Sequence, residues 1–61
     1  MRVRLTKDIP VEKKHGMIQG REFIVLSVKE GNGRGQNGVW VMGDTGEEIL
    51  LLVLRKEFEE I

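Results

Sequence analysis

Apolar residues come in short bursts along this chain, and the longest unbroken run covers residues 49–54 (ILLLVL). A second run, VWVM at 39–42, lies just upstream, and Gly43, Asp44, Thr45, Gly46, Glu47 and Glu48 separate the two. A hairpin with a three-residue loop accounts for this spacing: Asp44 opens a type I turn, and Gly46 takes the left-handed position that residues with side chains avoid. Such a loop fixes the register, with Glu47 opposite Gly43, Ile49 opposite Val41 and Leu51 opposite Val39. One face then carries Val39, Val41, Ile49, Leu51 and Val53, and the other Trp40, Met42, Leu50, Leu52 and Leu54. A strand wetted on one side alternates apolar with polar residues, so an unbroken apolar run predicts that both faces are covered. A chain this short fills one core. The second face therefore calls for a crossing strand, a second copy of the chain or a partner.

The remaining pattern predicts further strands. Val3, Leu5 and later Ile9 alternate with Arg2, Arg4 and Lys7, as in a strand with one solvated face. Residues 7–20 are irregular, with Pro10 unable to donate to a ladder and Gly16 and Gly20 marking turns. Residues 21–29 (REFIVLSVK) put Phe23 and Val25 on one side and Ile24, Leu26 and Val28 on the other. Residues 30–38 hold four of the eight glycines and no apolar residue, which predicts a flexible loop. The strands expected are about 2–6, 22–29, 39–43, 47–53 and 58–61, with one short helical turn before the last at most.

Composition narrows the picture. Sixty-one residues make one domain near the lower limit for folding without staples, a size that buries roughly 60% of its unfolded surface. The absence of cysteine excludes disulfides and thiolate metal sites. No signal-peptide pattern or membrane-length apolar run occurs, so a soluble, cytoplasmic protein without a membrane partner is expected. Net charge is zero, with eight Lys or Arg against four acids in residues 1–34 and two against six in residues 35–61. Mutual neutralisation of the two halves is the expected consequence.

Order and spacing resemble an SH3-like small β-barrel. Gly20-Arg21-Glu22-Phe23-Ile24-Val25 looks like the diverging turn that enters the second strand, Val39-Trp40-Val41 lies where such barrels often carry tryptophan, and Glu57-Phe58-Glu59-Glu60-Ile61 is similar to their closing strand. The resemblance implies an all-β, five-stranded, partly open barrel with long loops. The chain departs from peptide-binding SH3 domains, because Val3-Arg4-Leu5 replaces an aromatic-rich first strand, tyrosine is absent and no proline precedes the last strand. Recognition of proline-rich peptides needs several aromatic walls and is not expected. The opening RLTKDIP and the later GDTGEEI are also similar to short proteins of bacteriophages and bacterial genomes, which implies no chemistry. His15-Gly16-Met17-Ile18-Gln19-Gly20 resembles the Gly-containing turn of KOW-type barrels, which implies binding to nucleic acid or ribonucleoprotein.

Candidate chemistry is sparse. Residues 33–38 satisfy G-x-G-x-x-G, but a strand rather than a helix follows, so a loop is expected in place of a phosphate cradle. His15, the only histidine, has no second histidine or cysteine for a metal shell, and a surface or loop-packing role is expected. Asp44, Glu47 and Glu48 cluster at the hairpin tip, where solvated turn acids are commoner than a cation site. No catalytic, cofactor or metal residues are expected, nor a small-molecule substrate, and the chain reads as a non-enzymatic binding module. Trp40, Met42, Leu50 and Leu52 are the candidate protein-binding residues, for a partner or a homodimer. The alternative is nucleic-acid binding through Arg2, Arg4, Lys13, Lys14 and Arg21, set against neutral net charge and few stacking aromatics.

Overall fold

The computed structural model describes residues 1–31 and 37–61. They form an all-β domain with strands β1 (Arg2–Leu5), β2 (Glu22–Ile24), β3 (Ser27–Lys29), β4 (Gly38–Met42), β5 (Glu48–Leu52) and β6 (Phe58–Glu60). Two antiparallel three-stranded sheets result, ordered β2-β1-β6 and β3-β4-β5. Among the described residues no helix is long and apolar enough to cross a membrane.

The hairpin has the register its loop dictates. Val41 faces Ile49, Val39 faces Leu51, and Gly43 donates its N–H to the carbonyl of Glu47 at 2.8 Å. Gly46 sits at φ 83°, in the left-handed region that closes the three-residue loop. Alternation along β4 and β5 then divides the side chains. Val39, Val41 and Leu51 are buried, and they meet Val3, Leu5 and Phe23 from the other sheet in a single core. Ile9 and Met17, from the irregular segment, are buried in the same core. Burying a side chain of this size contributes about 1.5–3 kcal/mol, and Val3, Leu5, Val41 and Leu51 are completely enclosed.

Two expectations from the sequence need correction. Among the described residues there are six strands rather than the five expected, because the strand expected over 22–29 is shared between two sheets. Val25 donates its N–H to Met1 in the first sheet, and the next residue, Leu26, donates to Trp40 in the second. The Leu26 bond is one residue out of step with the β3–β4 ladder, in which Ser27 faces Trp40. Leu26 and Ser27 thus stand opposite one residue, a bulge that bends the run and hands it from sheet to sheet. The second correction concerns the segment before the last strand. Residues 53–56 form a hydrogen-bonded turn, Lys56 N–H to Val53 carbonyl at 3.0 Å, and Lys56 at φ 53° turns the chain out of any helical path. Instead one turn of 3-10 helix forms at Lys13–His15, ended by Gly16 at φ 73°.

Glu57 ties the sheets together. Its carbonyl accepts from the Thr6 N–H at 3.0 Å, continuing the β1 edge, while its carboxylate accepts from the Leu52 N–H at 2.9 Å on β5. Only 2% of the residue is exposed, so this acid is structural rather than part of a solvated strand face.

Candidate interaction face

Each sheet has an inner face in the core and an outer face, and the two outer faces differ in chemistry. On the β2-β1-β6 sheet, Arg2 pairs with Glu22, and Arg4 reaches Glu22 at 3.3 Å and Glu59 at 3.4 Å. The register places these charges side by side across all three strands, Arg4 standing between Glu22 and Glu59. Such exposed pairs contribute about 0–1 kcal/mol each and suit a face left to water.

The outer face of the β3-β4-β5 sheet is apolar. Trp40 lies between Ser27 and Leu50, and Gly38 between Lys29 and Leu52, while Met42 neighbours Glu48. The four residues expected to bind protein, Trp40, Met42, Leu50 and Leu52, are therefore brought onto one surface. Met42 is 44% exposed, and the other three are half-buried. No strand of this chain crosses the face among the described residues, and the bulge sets exposed Leu26 opposite Trp40 at its margin. The apolar strip lies on β4 and β5, with polar Ser27, Lys29 and Glu48 at its rim.

The basic residues do not converge in the same way. Arg2 and Arg4 occupy the opposite outer face, already faced by carboxylates. Arg21 donates to Asp44 at 2.7 Å and to the Gly16 carbonyl at 2.9 Å, and its guanidinium lies 4.9 Å from the Phe23 ring centre. Lys14 lies 3.5 Å from Glu12 on the 3-10 turn. Lys13, beside it, has no carboxylate within ion-pair distance among the described residues. Neutralisation is thus local in some pairs and crosses the chain's halves in others, as Arg4–Glu59 and Arg21–Asp44 do.

A cluster that sequence reasoning missed surrounds His15. Its side chain is only 8% exposed, with Nδ1 sharing a 2.8 Å hydrogen bond with Thr45 Oγ1 and Nε2 lying 3.5 Å from Glu47 Oε2. Its carbonyl accepts the Asp44 N–H at 3.0 Å. Hydroxyl, imidazole and carboxylate are the parts of a nucleophilic triad. Here the imidazole is sealed beneath the hairpin tip, and the carboxylate stands beyond hydrogen-bond length. The arrangement fastens the tip to the 3-10 turn. No local signal could have revealed it, because Thr45 is thirty residues from His15 and had a sufficient reason to exist as a turn residue.

The hairpin-tip acids also separate: Asp44 goes to Arg21, Glu47 to His15, and Glu48 to the outer face. No group of three or more His, Asp or Glu side chains able to hold a metal occurs among the described residues. A cleft of about 380 Å³ opens beside Asp8, Ile9, Val11 and Met17. Asp8 Oδ1 accepts the Gln19 N–H at 2.8 Å, and Glu12 and Lys13 also line the cleft, Glu12 lying 3.5 Å from Lys14. The G-x-G-x-x-G stretch lies mostly outside the described residues, which resume at Asn37, whose side chain accepts the Gly31 N–H. No family model, curated protein or solved structure matches this chain.

Proposed function

We propose that this protein is a small, non-enzymatic cytoplasmic binding module that works by burying the outer face of its β3-β4-β5 sheet against protein. The contrast between the two outer faces carries the reading: one is laced with ion pairs, whereas the other presents Trp40, Met42, Leu50 and Leu52. Tryptophan at the centre of an apolar patch with a polar rim is the composition of an interface hot spot. The long connections around residues 7–20 and 30–38 tune the partner. Read as one bent strand, residues 22–29 place the chain in the order β6-β1-β2/β3-β4-β5, which supports an SH3-like barrel opened at one seam. Nucleic-acid binding through Arg2, Arg4, Lys13, Lys14 and Arg21 is the less favoured reading. Four of those five would have to exchange a carboxylate already in place for a phosphate.

Photo-crosslinking separates these faces directly. A photoreactive residue replacing Met42 is expected to give discrete protein adducts in the cells that make the protein, and one replacing Arg4 to give few. Equal yields from both positions, or none from position 42, would refute the proposal.

A further inference from the structure

We infer that the occupant of this face is a second copy of the chain, docked about a two-fold axis that sets Lys29 of each copy against Glu48 of the other. The inference rests on the reading of that face as the binding surface and adds the identity of what covers it.

The register supplies the geometry. Lys29 shares a row with Gly38 and Leu52, Trp40 occupies the next row, and Glu48 sits beside Met42 in the row after that. Lys29 is on β3 and Glu48 on β5, so the two charges stand at diagonally opposite corners with Trp40 between them. Strand spacing and rise put the corners roughly 16 Å apart. A two-fold axis lying in the interface, over Trp40 and perpendicular to that diagonal, brings each Lys29 corner onto the other copy's Glu48 corner. The apolar centre then stacks on itself, as an isologous interface requires.

Opposite charges at equal distance from the patch centre make the face complementary to its own copy. Two like-charged corners would have repelled under the same operation. Within the described residues neither Lys29 nor Glu48 has an ion-pair partner in its own chain. The axis also sets the strands of the two copies at a steep angle, in the orthogonal class of sheet packing. Edge-to-edge extension through β5 is less favourable, because the Leu52 N–H on that edge is already donated to Glu57. A face of three short strands lies at the low end of specific interfaces, so a weak, concentration-dependent dimer is expected.

Charge reversal tests the pairing. Lys29→Glu places two carboxylates at each contact, and Glu48→Lys places two ammonium groups there. In an equimolar mixture of the two variants, the heterodimer regains both attractive contacts. Sedimentation velocity should show the wild type dimerising with concentration, each variant alone weakened at least about tenfold, and the mixture restored. Circular dichroism of each variant verifies that the fold is retained, and the mixture's recovery is itself a readout that misfolding could not produce. A wild type that stays monomeric to about 1 mM, variants that dimerise like the wild type, or a mixture without recovery would each overturn the inference. Failure here with adducts to another protein from position 42 removes only the second copy as occupant. Failure of both experiments removes the binding face itself.

Discussion

Single residues fix the junction between the 3-10 turn and the hairpin tip. At Gly16, φ is 73°, and an added Cβ would lie 2.0 Å from Asp44 Oδ2 and 2.1 Å from Arg21 Nη1. At Gly20, φ is 89° but the surrounding space is open. Gly20→Ala should therefore cost about 1 kcal/mol from backbone conformation alone. Gly16→Ala should cost about 1–3 kcal/mol more, since the Arg21–Asp44 pair must also be displaced. Urea denaturation of the two variants reads the difference, and equal losses would mean that the pair yields without cost. His15→Ala and Thr45→Val each remove one side of the part-buried 2.8 Å bond. A double-mutant cycle is expected to return a coupling of about 0.5–1.5 kcal/mol, whereas zero coupling would contradict the clasp.

Elements show where local chemistry decides structure and where it does not. Asp44, Thr45 and Gly46 were legible because a three-residue turn is a local object, and its register followed without further information. The division of residues 22–29 was not, since Phe23 and Val25 alternate with Ile24 and Leu26 straight through the bend. What divides that run is the identity of its hydrogen-bond partners, Met1 for Val25 and Trp40 for Leu26, and those are distant in sequence. Glu57 was hidden for a related reason. Among Glu59 and Glu60 it looks like one more solvated acid, yet a main-chain donor on β5 draws it inside. Glu57→Ala should cost about 1–3 kcal/mol by leaving the Leu52 N–H unpaired, with faster amide exchange at Leu52. Glu57→Gln keeps an acceptor and should retain most of the protection. Equal exchange in the two variants would show that the carboxylate does not hold that strand edge.

At the scale of the whole molecule, the outer face of one sheet is dominated by ion pairs, with Ile24 exposed among them, and that of the other by apolar side chains. The sequence pattern placed Trp40, Met42, Leu50 and Leu52 together because period-two alternation and a fixed hairpin register suffice for that. It could not show that Arg2, Arg4 and Arg21 would each find a carboxylate, because Glu22, Glu59 and Asp44 reach them only through folding. The central claim, that the apolar outer face is buried when the protein works, is most directly tested by hydroxyl-radical footprinting of the three methionines. Met17 is 3% exposed, Met1 55% and Met42 44%, so two of them calibrate the third. In dilute protein, Met1 and Met42 should oxidise together while Met17 resists. In concentrated protein or in the cell, Met42 should become protected and Met1 should not. Continued oxidation of Met42 in step with Met1 under all conditions would contradict the account.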